Sequence, residues 1–473
     1  MSDRASPAPR DLRGAAFALR ILAPVALFLG ACGDTSLGPA PPAETPLDVE
    51  LKALLSEASG GAGLDWFRLP ASDALSEIPQ DPANPLTPEK VALGRLLFHE
   101  SALGVDNVLD VGAVTYSCAS CHCGQAGFMA NLPQGIGEGG TGFGLAGEGR
   151  VRSDAYNAAP HDPDVQPIRT PTVLNSAYQE LMLWNGQFGS TGANRGTEDR
   201  WKTGTPLAHN FLGFEGVETQ SRAGLEVHRL AGIDRSAVDW IDEYGRRFAA
   251  AFPGDPDPVD TLNAALAIAA YERTVLASRA PWQQWLRGDM AAMSPAQKLG
   301  AILFFGKANC VACHTGPALN SMTFHGLGMN DLDGAHDAGR VHLGPAGGTV
   351  PPEVRRGRGG FTGNPADDFH FKTPQLYNLR TSQHLGHGAS FASVAEVVAY
   401  LNAGVPQNPG VPDAQLADEL RPLGLSADEE AQLAAFIEEA LYDPDVMRHV
   451  PLSVPSGACI PVNDAQGRED LGC

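Results

Sequence analysis

Two short motifs limit what this chain can fold into more than any other feature. Cys118-Ala119-Ser120-Cys121-His122 and Cys310-Val311-Ala312-Cys313-His314 both read C-x-x-C-H. Two thiols at that spacing can form thioethers to the two vinyl groups of one haem, and the histidine that follows reaches its iron. The same four thiols would also suit redox dithiols or zinc half-sites. The immediate histidine, present twice, favours two covalently bound haem c groups with His122 and His314 as proximal ligands.

The motifs lie in an internal repeat. Leu93-Gly94-x-x-Leu97-Phe98 precedes the first, and Leu299-Gly300-x-x-Leu303-Phe304 precedes the second. Thr87 with Pro88, and Ser294 with Pro295 and Gln297, supply the cap and first-turn signals for a helix at each site. Further helices are predicted at Val259 to Ala277, at Val394 to Ala403 (Ser393 cap, Glu396, Gly404 stop) and at Ala427 to Leu441 (Ser426 cap, Glu429). Strand-like alternation is weak throughout. The expectation is therefore a mainly α protein made of two cytochrome c-like haem domains with long loops.

The amino terminus reads as an address. Arg4, Arg10, Arg13 and Arg20 precede an apolar run, Ile21 to Leu29, that is too short to span a bilayer and fits a signal-peptide core. Leu29-Gly30-Ala31-Cys32 looks like a bacterial lipobox, which implies cleavage before Cys32 and a lipid on its thiol; plain signal-peptidase cleavage is the alternative. The expected organisation is a signal peptide over 1–31, a flexible linker over 32–63, haem domains over 64–285 and 286–445, and a tail over 446–473. In the tail, Cys459 and Cys473 are expected to pair in an oxidising compartment. Cys123 has no evident partner and reads as a buried free thiol.

Charge narrows the partners. With 33 Lys plus Arg against 55 Asp plus Glu, the net charge of −22 repels polyphosphate and anionic lipid surfaces. No nucleic acid is expected, and membrane contact is expected only through the lipid anchor. The same balance favours a basic redox partner.

An ordered set of segments resembles the bacterial di-haem cytochrome c peroxidase family, whose relatives include MauG-type enzymes that oxidise tryptophans in a partner protein. The set comprises Leu93 to Leu103; Cys118 to His122; Arg169-Thr170-Pro171-Thr172-Val173-Leu174-Asn175 with Trp184-Asn185-Gly186; Tyr271-Glu272-Arg273-Thr274; Leu286-Arg287-Gly288-Asp289; Cys310 to His314; and Phe371-Lys372-Thr373-Pro374 leading to His387. The resemblance runs from Thr87 to Gly404. It implies an oxidoreductase of the cytochrome-c peroxidase type, in which the N-terminal haem takes hydrogen peroxide and the C-terminal haem takes electrons from a small periplasmic donor, a cytochrome c or a cupredoxin. Trp184 matches the family's tryptophan between the haems; an ordinary buried aromatic is the other reading.

The resemblance also assigns acid/base candidates. Gln220 and Glu218 match the family's glutamine and nearby acid, and Glu226 stays in play with His228 just beyond. For each glutamate a solvated acidic face is the alternative. Where many relatives carry Gly-His-Gly after the first haem, this chain has Gly137-Glu138-Gly139. His161 stands at the family spacing for the distal histidine of that haem, so either His161 ligates it or the iron is five-coordinate with Glu138 nearby. At the second haem the distal ligand is Tyr400, as in MauG-type enzymes, or Met329; a tyrosinate would lower the potential and a methionine would raise it. Arg169 takes the place of the family's calcium-binding Asn, which argues against calcium bound in the usual way. Two further readings remain, a MauG-like oxidase of a protein or organic substrate and a di-haem electron-transfer protein without catalysis.

Overall fold

The computed structural model describes residues 44–157, 162–230, 242–332 and 350–473. The signal peptide, Cys32 and His161 lie outside the described residues.

Each half of the repeat builds one helix crossing. Helix Pro88–His99 begins at Thr87, whose hydroxyl accepts from Lys90 N at 3.2 Å. It packs on helix Thr261–Thr274, capped by Asp260, and the two backbones meet at Gly94. A Cβ there would lie 1.8 Å from the Ala267 carbonyl oxygen. The second half repeats the arrangement. Helix Pro295–Phe305 starts from a capping box between Ser294 and Gln297 and crosses helix Ala427–Ala435, where a Cβ on Gly300 would lie 1.9 Å from the Gln432 carbonyl oxygen. The Leu-Gly pair common to both repeats is thus a requirement for backbone-to-backbone approach. The motifs Cys118 to His122 and Cys310 to His314 follow these crossings as short helical turns.

The sequence signals for caps hold. Helix Val394–Ala403 starts at Ser393 and stops at Gly404, whose φ is 63°. Helix Ala427–Ala435 starts from the Ser426–Glu429 capping box and widens into a π turn over Phe436–Ala440. Strand content among the described residues is two antiparallel pairs of two residues each: Gly140–Thr141 with Val151–Arg152, and Phe324–His325 with Phe371–Lys372. The remaining described backbone is further helices, among them Gly216–Val227 and Asp242–Ala251, joined by long loops and 3₁₀ turns, as expected of a mainly α chain.

The flexible linker expected over 32–63 needs correction, because Pro46–Ala58 is a helix. Thr45 and Asp48 form a capping box, and Leu51 and Leu55, one turn apart, are fully buried. Asp48 also accepts from Trp285 Nε1 at 2.7 Å and pairs with Lys298 Nζ at 2.7 Å. Burial works against the Asp48 anion, yet Lys298, Thr45 and Trp285 outweigh it and hold the carboxyl well below its ordinary range. Pro42–Cys473 form one compact unit whose main core runs from Leu51 through Phe98, Trp282 and Phe304 to Val446. The division drawn at 285/286 falls at the end of helix Pro281–Leu286, where Trp285 and Leu286 are both fully buried.

The tail folds back over the first motif. Cys459 and Cys473 form a disulfide around helix Ala465–Leu471. Ser117 and Ser120 Oγ donate to the Pro461 carbonyl at 3.1 and 2.9 Å. Asp464 pairs with the buried Arg150 at 3.2 Å and accepts from Gly142 N at 2.8 Å, which ties the Gly-rich loop to the tail. Cys123 is a buried free thiol beneath it, packed with Val462. No helix among the described residues is long and apolar enough to cross a membrane.

Candidate active site

Each C-x-x-C-H motif opens on its own cavity. The first, of about 660 Å³, is lined by Cys118, Cys121 and His122; the second, of about 260 Å³, by Cys310, Cys313 and His314. All four motif cysteines are unpaired. Burial pushes the Cys121 and Cys310 thiols up to about 12, which disfavours the thiolate that a redox dithiol needs. Among the described residues no three His, Cys, Asp or Glu side chains gather as a metal cluster, so the four thiols do not form one zinc site. Neutral thiols in pairs, each pair beside a buried histidine and an open volume, fit thioether attachment of haem. Burial lowers both His122 and His314 to about 4, leaving neutral imidazoles, the ligand form. His314 Nδ1 is held by the Leu319 carbonyl at 3.0 Å.

Trp184 stands in the wall that both cavities share. Its indole Nε1 donates to the Arg169 carbonyl at 2.8 Å, and its own carbonyl accepts from Lys372 N at 2.7 Å. Its ring meets His387 edge to face with centroids 6.3 Å apart. Arg169 reaches Leu132 O and Ser382 Oγ, each at 2.8 Å.

The acid/base candidates separate. They sit on helix Gly216–Val227 and just beyond it. Gln220 lines the first cavity together with Ser221, Gly224 and His228. Glu218 does not line it. Residues two apart on a helix point away from each other, and Glu218 turns to Arg273, with Nε to Oε1 at 2.8 Å and Nη2 to Oε2 at 2.6 Å. Both side chains of that pair are fully buried. Glu226 is 51% exposed and pairs with His209 at 2.9 Å and Arg222 at 3.6 Å, outside the cavity lining. Glu138 is likewise outside the lining. It accepts from Val108 N and Tyr156 Oη and pairs with Arg229, which fixes the Gly137–Gly139 loop.

Two further groups face the first cavity: Glu272, to which the sequence assigns no role, and His228, a candidate whose partner the sequence does not reveal. Glu272, one helical turn after Ile268, lines the first cavity with Oε2 buried and without a hydrogen bond. Burial pushes its carboxyl up to about 8; the charge of Glu218 adds to this and Arg273 opposes it. His228 lines the same cavity with Nδ1 on the Asp164 carboxylate at 2.9 Å. Burial lowers its pKa, and Asp164 outweighs burial to leave it raised. Glu272 belongs to the Tyr271-Glu272-Arg273-Thr274 segment, and its spacing from Ile268 on a predicted helix is the one sequence signal for its place. The Asp164 contact joins residues 64 positions apart and had no sequence signal.

At the second motif the two distal candidates also separate. Met329 lines the cavity with His314. Tyr400 is outside that lining, packs on Phe391, and donates its hydroxyl to the Leu327 carbonyl.

The family model for di-haem cytochrome c peroxidase matches residues 88–291. The chain is 30% identical over 408 residues to cytochrome-c peroxidase IdrP1 of Denitromonas iodatirespirans, covering 83% of this chain and 91% of that protein. It is also 30% identical over 378 residues to the methylamine utilization protein MauG of Methylorubrum extorquens, covering 80% of this chain and 84% of that one. Among solved structures, a MauG-like protein associated with microbial copper homeostasis shares the fold, with a TM-score of 0.54 at 22% identity over 80% of this chain and 96% of that one. The chain belongs to the di-haem cytochrome c peroxidase family and is an oxidoreductase of that kind.

Proposed function

We propose that this protein reduces hydrogen peroxide to water at the first cavity, using electrons that a small redox protein delivers at the second. The net reaction is H₂O₂ + 2 e⁻ + 2 H⁺ → 2 H₂O. The observation that carries the reading is Trp184 in the common wall of two cavities, each with its own attachment motif. Cys118 and Cys121 would hold one haem with His122 as proximal ligand, and Cys310 and Cys313 the other with His314. Bound there, the haems supply the iron that takes peroxide and the store for one electron.

The chain's own side chains supply the proton handling. Glu272, protonated at neutral pH, holds a proton at the first cavity and is the general acid. His228, oriented through Nδ1 by Asp164, presents its other ring nitrogen as a relay, and Gln220 offers an amide to orient the oxygen substrate. Glu218 and Glu226 act through structure, the first by anchoring Arg273 and the second at the surface. Polar groups opening on the first cavity favour an enzyme over a bare electron carrier. Met329 lines the second cavity and would be the side chain available to a haem there, which favours the peroxidase over the MauG-like oxidase, for which Tyr400 would have to give up its bond to Leu327.

The protein is proposed to work outside the cytoplasm, tethered through Cys32, with a donor whose basic surface complements the net charge of −22. The test is to mix as-isolated and half-reduced protein with peroxide and reduced cytochrome c and follow donor oxidation. Turnover in either state is expected. Absence of turnover in both, with a stable oxidised haem species accumulating, would overturn the peroxidase reading in favour of the oxidase.

A further inference from the structure

Buried cations need a counter-charge, because an unmatched charge in a low-dielectric interior is unfavourable and a lysine there is driven toward losing its proton. The buried cations of this protein mostly obey. Arg150 has Asp464, Arg273 has Glu215 and Glu218, and Lys298 has Asp48. Arg358 lacks a carboxylate at bonding distance but gives its guanidinium to the oxygens of Asn185, Gly186, Ala193 and Asn194 and stacks on Phe324.

Arg169 and Lys372 do not obey. Arg169 is 3% exposed and Lys372 is 5% exposed. Arg169 makes two hydrogen bonds, to Leu132 O and Ser382 Oγ, with a fork of five N–H groups to offer. Lys372 donates to Gln179 Oε1 and Leu181 O and has a third proton to give. No described acidic side chain supports either charge: burial alone acts on them, pulling Lys372 down to about 7 and Arg169 to about 9. Both face open volume, Lys372 in the second cavity and Arg169 in both. They also bracket one residue, since Trp184 is bonded to the backbone of each.

A pair of unmatched cations lining a cavity calls for an anion that arrives with the occupant. We propose that Arg169 and Lys372 are carboxylate receptors: Lys372 takes a propionate of the haem in the second cavity, and Arg169 takes one at the wall the cavities share. The assignment rests on the di-haem reading and adds a role for two side chains. Arg–carboxylate and Lys–carboxylate bonds are strong because donor and acceptor are both charged. Once made, they neutralise the wall around Trp184, and Lys372 keeps its proton at neutral pH. In their absence the propionates would be buried anions beside the irons and would hold both haems at lower potential.

The test uses the full-length haem-loaded protein and has two arms. The first counts haem per chain and then titrates each haem potentiometrically at several pH values in Arg169→Gln, Lys372→Gln and Lys372→Arg. Two haems per chain are expected throughout. Lys372→Gln is expected to move the second haem's midpoint in the negative direction and to make it depend on pH as the unpaired propionate titrates; Lys372→Arg restores the original curve. Arg169→Gln is expected to do the same to a haem bordering the shared wall. Unchanged midpoints and pH profiles in both Gln variants, with both haems attached, would overturn the proposal. Fewer than two haems in the unaltered chain would instead sink the di-haem reading. The second arm is a crystal structure of the unaltered loaded protein, which decides the matter even if a variant does not fold. Propionate oxygens about 2.7–2.9 Å from Lys372 Nζ and the Arg169 guanidinium support the assignment, and propionates turned to other partners exclude it.

Discussion

The two halves of the molecule share a scaffold and differ in what they enclose. Both cross helices at a glycine that admits no side chain, and both place C-x-x-C-H just beyond the crossing. The first cavity, about 660 Å³, carries Glu272, the His228–Asp164 pair and Gln220. The second, about 260 Å³, carries Met329 and Lys372 in a mostly apolar lining that also includes His387, Asp331 and Glu419. On the function proposed above, the duplicated frame carries proton-handling groups on one side and a thioether available to the haem on the other. The scaffold fixes where a haem goes, and the lining decides what it does.

The comparison breaks most sharply at Glu272. Glu272→Gln should lower peroxide turnover by about 10²–10⁴-fold, the usual range for loss of a positioned acid, with absorption spectra of the second haem unchanged. Because the protonated carboxyl is the active form, the unaltered enzyme should lose rate as pH rises through about 8. The same shift has a stability sign. The folded state holds this proton up to about 8 whereas an ordinary glutamate releases it near 4.5, so Glu272 makes folding less favourable as pH climbs between those values. Melting curves of Glu272→Gln should lack that decline relative to the unaltered protein.

The shared frame is tested next. Gly94→Ala and Gly300→Ala should each destabilise by about 3 kcal/mol or more, since a Cβ meets a backbone carbonyl that cannot move without shifting a helix. Similar losses in thermal unfolding would confirm that the halves are mechanically equivalent; a large loss at one glycine only would break the symmetry. A smaller effect separates the two distal candidates. Met329→Leu should lower the midpoint potential of the second haem, whereas Tyr400→Phe should leave it in place and cost about 1 kcal/mol for the bond to Leu327. Smallest of all, Glu226→Gln should change neither turnover nor stability by more than about 0.5 kcal/mol, because its ion pairs are exposed.

Local chemistry was legible in the sequence where the signal is local. Caps at Thr87, Ser294, Ser393 and Ser426 appear as read, because a hydroxyl three residues before an amide needs no tertiary information. The linker expectation failed over Pro46–Ala58 although Thr45, Pro46 and Asp48 carry a start signal; the flanking Pro, Ala and Gly content obscured it. Glu218 was assigned by likeness to a role that its helical phase denies it, since only tertiary structure brings Arg273 to meet it. His228 acquires its partner from a loop across the cavity, and such contacts leave no trace in spacing.

The wall between the cavities has a further property. Trp184 is held by main-chain atoms, its indole by the Arg169 carbonyl and its carbonyl by the Lys372 amide. The side chains of those same two residues line the cavities that Trp184 borders. Position and electrical environment are therefore set by separable parts of one pair: exchanging either side chain rewrites the field at the ring while the ring keeps its seat. On the function proposed above, an electron path through this ring could have its bias altered without being rewired.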